Sequence, residues 1–401
     1  MNNALKPSTG SRTAVMKAGW KIKTLRDVCV VDKRQGIHKG LPYVGMEHIE
    51  SHTGRFIGLL DPFEVKSSTF KFSSDHLLYG RLRPYLNKVM LPNFSGHCST
   101  EIFPLKPNPE LLRKFLQYWF LRDKTVEQID ATSTGTRMPR ANMNAVLDFE
   151  IPCPALSEQQ RIVGVLDEAF DGIATAKANA EKNLQNARAL FESHLNAVFT
   201  HEGQGWEDAT IDEVIRFIDY RGKTPVKTAS GIRLITAKNV KMGYLQETPM
   251  EFIDSANYRG WMTRGIPQKG DVLFTTEAPL ANVAQLDTDE KVAFAQRIII
   301  MQPDKNKLDC TFLKYLLMSG PVQQRIRAKG TGATVQGIKA SLLKLIEISF
   351  PKTLTEQRQI VEKLDALNEE TRCLEYNYQQ KLAALDELKK SLLNQAFTGE
   401  L

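Results

Sequence analysis

The sequence has no long run of apolar residues. No segment approaches the roughly 18 uninterrupted apolar residues that indicate a membrane-spanning helix. The first twenty residues also lack the apolar core of a secretory signal. Residues 1–19 are rich in Ser, Thr, Gly and Pro and are expected to form a loose leader. The pattern excludes a membrane protein and predicts a cytoplasmic location.

Cysteine is scarce, and its spacing is uninformative for metal or disulfide chemistry. The five cysteines are Cys29, Cys98, Cys153, Cys310 and Cys373. They are odd in number, far apart and form no C-x-x-C pair, so neither a disulfide framework nor a zinc finger is predicted. This usage suits a reducing compartment.

Motifs for catalysis are also missing. The chain has no P-loop G-x-x-x-x-G-K-[ST], no dinucleotide-binding G-x-G-x-x-G and no Asn/Asp-Pro-Pro-Tyr/Phe motif of amino-methyltransferases. Its seven histidines show no H-E-x-x-H spacing, so no metal site is indicated. We therefore expect a non-catalytic chain that carries no cofactor of its own.

The basic residues are unevenly distributed. The net charge is +8 in residues 1–155, −2 in 156–200, +4 in 201–353 and −3 in 354–401. Two basic segments are thus separated and followed by acidic ones. Basic segments suit a phosphate-rich partner such as DNA, although ordinary variation of surface charge explains the numbers equally well.

The acidic segments are copies of each other. Residues 156–200 align with residues 354–398 without a gap, and 15 of the 45 positions are identical. In both copies, apolar residues recur with alternating steps of three and four, which is typical of a coiled coil. Each copy predicts a helix of roughly 65 Å at 1.5 Å per residue, with Ser157 and Thr355 as N-caps.

The basic segments repeat more weakly. Residues 20–28 resemble 206–214, residues 43–49 resemble 234–240, and residues 134–139 resemble 331–336. Each segment mixes short β-like runs with brief helical patterns, which predicts a mixed α/β (α+β) globule. The predicted order is a leader (1–19), a globule (20–155), a long helix (156–200), a second globule (201–353) and a second long helix (354–401). If the helices form an antiparallel coiled coil, the chain has pseudo-two-fold symmetry.

The duplicated motifs resemble those of type I restriction-modification specificity (S) subunits. Residues 151–162 (IPCPALSEQQRI) and 350–360 (FPKTLTEQRQI) are similar to the family's junctions between a target recognition domain and a helix. Residues 392–401 (LLNQAFTGEL) are similar to its usual C-terminus, and residues 79–85 (YGRLRPY) to a recurrent recognition-domain segment.

This resemblance implies a function. Each globule is expected to be a target recognition domain that reads one half of a bipartite double-stranded DNA target. The helix pair is expected to set the spacing between the halves and to dock two modification (methyltransferase) subunits. Restriction (motor-nuclease) subunits join that core. S-adenosylmethionine, and ATP with Mg, are then cofactors of the partners only.

Candidate DNA-binding residues in the first domain lie in two segments. Arginine reads guanine and asparagine reads adenine, while other cations contact phosphates. The candidates are Arg81, Arg83, Tyr85, Asn87, Lys88, Arg137 and Arg140. Solvent-exposed strand and turn residues are the alternative interpretation.

The second domain has a different chemistry at the corresponding positions. Residues 274–279 (FTTEAP) stand where the first domain has residues 79–84 (YGRLRP), so the two domains are expected to read different half-sites. Its candidates are Lys238, Asn239, Thr275, Thr276, Lys329, Thr334, Gln336 and Lys339.

Exposed polar side chains near the start of each long helix are candidate partner contacts, and capping or solvation is the alternative interpretation: Gln159, Gln160, Arg161, Gln357 and Arg358. A non-catalytic coiled-coil scaffold that only bridges proteins is the alternative function. A self-sufficient nuclease or methyltransferase is disfavoured by the missing motifs.

Overall fold

The computed structural model describes residues 17, 19–200, 205–220, 224–332 and 336–401. The chain divides into two compact units. The first unit combines residues up to Glu181 with Gln380–Leu401, and the second comprises Lys182–Gln379. Each unit therefore contains one globule and a portion of both long helices.

In the first unit, short strands and helices lead into a long helix. Their bounds are β1 Lys21–Thr24, α1 Leu25–Val28, β2 Cys29–Val31, β3 Gln35–Gly36, β4 Tyr43–Val44, β5 Thr69–Phe72, β6 Leu77–Gly80, β7 Val89–Met90, β8 Gly96–Cys98, β9 Ile102–Pro107, α2 Arg113–Leu121, α3 Asp123–Ala131, α4 Met143–Leu147, β10 Glu150–Cys153 and α5 Leu156–Thr200. Helix α5 continues past residue 181 into the second unit.

The second unit repeats this order. Its elements are β11 Trp206–Thr210, α6 Ile211–Val214, β12 Ile215–Asp219, β13 Lys227–Thr228, β14 Ile232–Ile235, β15 Glu251–Ile253, α7 Tyr258–Trp261, β16 Val272–Thr275, β17 Val283–Gln285, β18 Val292–Phe294, β19 Ile298–Pro303, α8 Cys310–Met318, α9 Gly320–Ala328, α10 Ala340–Lys344, β20 Glu347–Pro351 and α11 Leu354–Thr398. The last part of α11 belongs to the first unit. The α+β fold class is thus confirmed.

Equivalent strands form equivalent sheets. In the first unit, β1 pairs with β10, and a four-stranded sheet has the order β2-β9-β6-β7. In the second, β11 pairs with β20, and the order is β12-β19-β16-β17. The remaining sheets differ: the order is β3-β5-β8-β4 in the first and β13-β15-β14-β18 in the second.

The same local interaction starts each globule. In the first unit, Thr24 and Asp27 form a capping box on α1. In the second, Thr210 and Glu213 do the same on α6. A capping box satisfies two otherwise unpaired N–H groups at a helix start, so it fixes where β1 and β11 end.

The two long helices pack together and run antiparallel, as predicted. In the first unit, Lys177 of α5 forms an ion pair with Asp386 of α11 at 2.7 Å. In the second, Arg188 pairs with Glu375 at 2.9 Å. Within the first unit, Arg161 of α5 also donates to Leu401 O at 2.6 Å, so an advance from 161 to 177 along α5 corresponds to a return from 401 to 386.

Each globule is packed onto the helices through aromatic side chains. In the first unit, Phe115 of α2 contacts Phe397 of α11, with ring centroids 4.6 Å apart. In the second, Phe312 of α8 contacts Phe199 of α5 at 5.4 Å. Phe397 of α11 and Phe199 of α5 occupy equivalent positions in the two helical repeats. Each globule therefore packs against the same position of a different helix.

Two details of the helix prediction are wrong. The helices begin at Leu156 and Leu354, so Ser157 and Thr355 lie inside the first turn. Thr353 instead accepts a hydrogen bond from the Glu356 N–H. The regular three-four spacing also fails near the end of α5, where Leu190 is 53% exposed and Phe191, Leu195 and Phe199 turn inward onto α8. Packing against the globule overrides the coiled-coil period there.

Candidate nucleic-acid interface

In the first unit, three loops are joined by backbone hydrogen bonds at one end of the β2-β9-β6-β7 sheet. They are residues 81–88, 99–101 and 132–142, and we call them the first loop cluster. The Arg81 N–H donates to Glu101 O at 2.8 Å, and the Arg83 N–H donates to Pro139 O at 2.7 Å. The Ala141 N–H donates to Arg81 O at 2.9 Å. Backbone hydrogen bonds therefore join the three loops into one continuous surface.

The second unit has the same construction at the same end of the equivalent sheet. The second loop cluster consists of residues 276–282, 295–297, 329–332 and 336–339. The Thr276 N–H donates to Arg297 O, and the Ile338 N–H donates to Thr276 O, both at 2.9 Å. Gly337 forms isolated antiparallel β-bridges with Glu277 and Thr331. Arg140 forms the matching β-bridges with Leu82 and Thr134 in the first unit. The weak sequence repeats in these segments are therefore structurally equivalent.

Unusual backbone conformations concentrate in the two clusters. Among the described residues, the non-glycine residues with positive φ are His52, Arg83, Asn87, Ala278, Ala281 and Arg297. Five of them lie in the clusters. The sixth, His52, lies next to the first cluster, because its N–H donates to Asn87 O at 3.1 Å. Such conformations cost free energy and are found mostly where function requires them.

The first loop cluster is basic and contains a shallow depression. Glu101 accepts from Arg81 Nε at 3.0 Å and from Arg140 Nε at 2.9 Å, so one carboxylate is shared by two guanidinium groups. The Arg81 guanidinium and the Lys33 ammonium lie 5.2 and 4.8 Å from the Phe103 ring. The depression has a volume of about 300 Å³ and is lined by Lys33, Arg81, Phe103, Thr134, Arg140, Ala141, Asn142, Met143 and Asn144.

The second loop cluster has a more balanced charge. Arg297 Nε lies 2.9 Å from Glu277 Oε1, and both side chains are nearly half exposed. Lys329 is exposed and donates from Nζ to Leu345 O at 2.8 Å. Lys339 is exposed as well. The two clusters thus share a backbone frame and differ in the side chains that it carries.

The predicted DNA-binding residues separate by exposure. The exposed ones are Arg83, Tyr85, Arg137, Lys238, Lys329, Gln336 and Lys339. Arg81, Lys88 and Arg140 are half-buried, and Lys88 donates from Nζ to Met46 O at 2.6 Å. Lys238 lies outside both clusters, and Thr334 lies outside the described residues.

Four predicted DNA-binding residues are buried, so the expectation that their side chains are exposed is wrong. Asn87 donates from Nδ2 to Phe120 O at 2.9 Å. Asn239 accepts from the Thr236 N–H at 3.0 Å and donates to Pro249 O. Thr275 donates to Pro279 O and Thr276 to Arg297 O. These short polar side chains satisfy backbone groups in turns.

Two predicted partner contacts are buried for a similar reason. Gln159 accepts from the Leu112 N–H at 2.8 Å and donates to Glu110 O and Pro154 O. Gln357 makes the matching bonds with the Asp309 N–H, Lys307 O and Pro351 O. Both are fully buried, whereas Gln160, Arg161 and Arg358 are exposed.

Sequence reasoning missed Glu101, Glu277 and Arg297 in the clusters and Lys33 beside the first cluster. Lys33 and Glu101 lie within the first basic segment but outside the motifs that supplied the candidates. Glu277 lies in residues 274–279, where the sequence indicated only a loss of basic residues, and Arg297 directly precedes β19. Alignment of the two basic segments through their strand ends, rather than through their most similar motifs, is the signal that identifies them.

Within the described ranges, no helix is both long enough and apolar enough to cross a membrane.

Comparison with known proteins gives a consistent result. The family model for the type I restriction modification DNA specificity domain matches residues 17–185 and 204–384. The chain is 28% identical to the EcoDI specificity subunit of Escherichia coli over 162 residues, which cover 40% of this chain and 36% of that subunit. It is 23% identical over 326 residues to the MjaVIII specificity subunit of Methanocaldococcus jannaschii, covering 76% and 74% of the two chains.

Solved structures share the fold. A chain from a structure on complex assembly and conformational transition of the type I R-M system aligns with 96% of this chain and 99% of its own length, with a TM-score of 0.80 and 23% identity. The HsdS subunit from Thermoanaerobacter tengcongensis aligns with a TM-score of 0.63 and 22% identity, covering 96% and 98%. Because the family model matches most of the chain in two copies, the chain belongs to the type I restriction-modification DNA specificity domain family.

Proposed function

We propose that this chain is the DNA-reading subunit of a type I restriction-modification complex and that each globule reads one half of a bipartite target. The observation that carries the proposal is the pair of equivalent loop clusters, one on each globule. Each lies at the same end of an equivalent sheet, and the two present different exposed side chains. Different half-sites follow from that difference.

Within each cluster, exposed cations serve as phosphate contacts. Arg83 and Arg137 are exposed in the first cluster, and Lys329 and Lys339 in the second. Phosphate contacts position a protein on the duplex and carry no direct sequence information. Tyr85, Gln336 and Lys238 are proposed as further contacts, and Thr334 remains a prediction from the sequence.

The helix pair supplies the spacer in this proposal. Helices α5 and α11 are each 45 residues long and contain no proline. A paired antiparallel helix is a stiff element of fixed rise per residue. The separation between the two half-sites is therefore determined by helix length.

The same helices dock two modification subunits, which bring S-adenosylmethionine. In the second unit, a cavity of about 730 Å³ lies between the helices and the globule. Its lining includes Arg188, Phe191, Tyr244, Arg372 and Tyr376, and Tyr, Arg and Met are enriched in protein interfaces. Leu190, Leu374 and Leu388 expose further apolar surface on the helices.

Exposed Gln160, Arg161 and Arg358 at the helix starts are proposed as additional partner contacts. Restriction subunits, which use ATP and Mg, join the assembly through the modification subunits. The chain contributes DNA recognition, takes no part in the chemistry, holds no cofactor and acts in the cytoplasm.

Methylome sequencing of host DNA with and without the gene tests the proposal. Loss of a bipartite methylated motif on deletion, and its return on complementation, is the expected result. Unchanged methylation in a strain whose modification subunits are demonstrably active contradicts it.

The scaffold alternative is separated by a second measurement. DNA affinity of the complex with its modification subunits is expected to fall steeply as salt rises, because phosphate contacts release counterions. If the chain only bridges subunits, the DNA affinity of the complex is expected to depend on salt no more steeply than that of the modification subunits alone.

A further inference from the structure

Each loop cluster contains one arginine next to one carboxylate, but the two partners have exchanged strands. In the first cluster, Arg81 follows β6 and Glu101 precedes β9. In the second, Arg297 precedes β19, where Glu101 stands in the first, and Glu277 follows β16. Both clusters therefore have an arginine–carboxylate pair at the same end of equivalent sheets, but the arginine and the carboxylate follow or precede different strands.

The two contacts have similar N···O distances, but only Arg81 Nε donates a hydrogen bond to its carboxylate, whereas Arg297 and Glu277 form an ion pair. Arg81 Nε lies 3.0 Å from Glu101 Oε2, and Arg297 Nε lies 2.9 Å from Glu277 Oε1. The side chain of Arg81 is 32% exposed and that of Arg297 is 47% exposed. Within the described residues, no hydrogen bond engages Nη1 or Nη2 of either arginine.

This arrangement leaves the outer edge of each guanidinium group available. A carboxylate at Nε restrains the rotation of the side chain, while Nη1 and Nη2 remain as two parallel donors. Two such donors match O6 and N7 of guanine in the major groove, and bidentate contact with them is the commonest specific arginine contact. Orientation by a neighbouring carboxylate reduces the conformational entropy that is lost on binding.

The other arginines of the clusters lack one of these features. Within the described residues, Arg83 and Arg137 are exposed without a side-chain partner, so their conformations are not restrained. Arg140 is restrained by Glu101 but also donates from Nη1 to Met138 O at 3.3 Å. Arg140 therefore supports its own loop.

Backbone conformation adds a reason to single out Arg297. Its φ is +82°, a region that side chains other than glycine rarely adopt. Its carbonyl accepts from both the backbone N–H and the Oγ1 of Thr276. The surrounding strands thus hold Arg297 in an unfavourable backbone conformation, which sets the direction of its Cα–Cβ bond.

We propose that Arg81 and Arg297 each read one guanine, one in each half-site, and that Glu101 and Glu277 are positioning residues for them. This inference rests on the proposed function. It predicts that both halves of the bipartite target contain a guanine whose recognition depends on a single arginine.

The test uses the intact complex with its modification subunits and profiles the methylated motif for Arg81→Lys and Arg297→Lys. Lysine keeps the charge but loses the two parallel donors. Preference for guanine at one position is expected to fall roughly 5- to 150-fold, the range for one bidentate contact. The half-site of the other globule is an internal control, and Arg259→Lys, at an exposed position outside both clusters, is the matched variant expected to leave base preference unchanged.

Glu277→Gln reports the positioning role. It keeps size and polarity but removes the charge that restrains Arg297. It is expected to relax the same guanine position as Arg297→Lys, by a smaller factor, with no change in the other half-site.

A second measurement begins with the unaltered chain, so its first arm does not depend on the folding of a variant. Duplexes carrying the motif, with 7-deazaguanine replacing each guanine in turn, lack N7 at one position. The unmodified chain in its complex is expected to lose affinity at one guanine per half-site, and the Arg297→Lys complex is expected to be insensitive to the same replacement. Full sensitivity of that variant, or unchanged motifs for both lysine variants, overturns the inference while the proposed function stands. Absence of any bipartite motif for the unaltered chain overturns the proposed function itself.

Discussion

At the residue scale, buried polar side chains join the globules to the long helices. Gln159 and Gln357 occupy equivalent positions, and each completes the hydrogen bonding of three backbone groups. Tyr118 and Tyr315 also donate to equivalent helix carboxylates, Asp167 and Asp365. In a sequence, such glutamines resemble solvent-exposed polar residues, but here Gln159 and Gln357 are buried at the contact between globule and helix.

Replacement of Gln159 by Ala is therefore expected to destabilise the chain. It leaves the Leu112 N–H and two carbonyl groups without partners in a buried site. Each unsatisfied group is expected to lower the free energy of unfolding by about 1–3 kcal/mol. Denaturant unfolding of the variant measures the loss. Gln160→Ala, at the exposed neighbouring position, is the control and is expected to change the free energy of unfolding by less than about 0.5 kcal/mol. Equal effects of the two substitutions contradict the assignment.

Acid sensitivity is expected from Glu158. Hydrogen bonds from Arg161 and Lys17 hold the pKa of Glu158 at about 2, below its ordinary value of 4.5. Because the pKa is lowered in the folded state, the stabilisation is present above pH 4.5 and is lost as the pH falls toward 2.

Unfolding of the native chain and of Glu158→Gln at pH 7 and at pH 3 tests this expectation. The native chain is expected to be the more stable of the two at pH 7, and the difference is expected to shrink at pH 3. A difference that stays constant with pH argues that Glu158 acts through packing instead.

At the element scale, the long helices have two kinds of apolar residue. Leu364 is fully buried in the core of the second unit, whereas Leu374 on the same helix is 41% exposed. Both follow the coiled-coil period, so periodicity alone does not distinguish them. The surroundings of the helix do, because the globule covers one part of α11 and leaves another part open.

Leu364→Ala is expected to lower the free energy of unfolding by about 2–5 kcal/mol, since it creates a cavity in a packed core. Leu374→Ala removes the same atoms from a partly exposed site and is expected to cost much less. Thermal or denaturant unfolding of both variants gives the comparison. A comparable loss for both means that Leu374 is buried in the chain itself.

The exposed helix residues also carry a prediction about assembly. Leu374→Asp is expected to weaken association with the modification subunits while leaving the stability of the chain nearly unchanged, because a charge enters the proposed apolar interface. Titration of the purified subunits against each other measures the affinity. Lys363→Asp, a charge change at an exposed position of the same helix, controls for electrostatics.

At the scale of the whole molecule, helix length is expected to determine the spacing of the DNA target. One heptad inserted after Glu181 and one after Gln379 preserves the pairing of apolar residues and lengthens both helices by about 10 Å. At about 3.4 Å per base pair, the nonspecific spacer is expected to grow by about three base pairs.

Methylome sequencing with the lengthened chain reads the spacer directly. Both half-sites are expected to keep their sequences, because the loop clusters are unchanged. Insertion into one helix alone shifts the pairing and is expected to abolish methylation. An unaltered spacer with two active, lengthened helices contradicts the ruler role.

The sequence by itself determined the duplicated order of globule and helix and the existence of two long, similar helices. These features are local: a three-four period and a gapless repeat need no knowledge of distant contacts. Local motifs also indicated the mixed strand and helix content and the family. They identified Arg81 and Arg140 as candidate DNA-binding residues.

Only the tertiary structure decided which polar residues are accessible and which charges meet. Gln159 binds backbone groups 47 residues away, and Arg81 meets a carboxylate 20 residues away. In the second globule, Arg297 and Glu277 occupy exchanged strands, so no alignment of short motifs pairs them. Burial and ion pairing depend on contacts between strands that are separated in sequence, and that information is distributed along the chain rather than contained in any one segment.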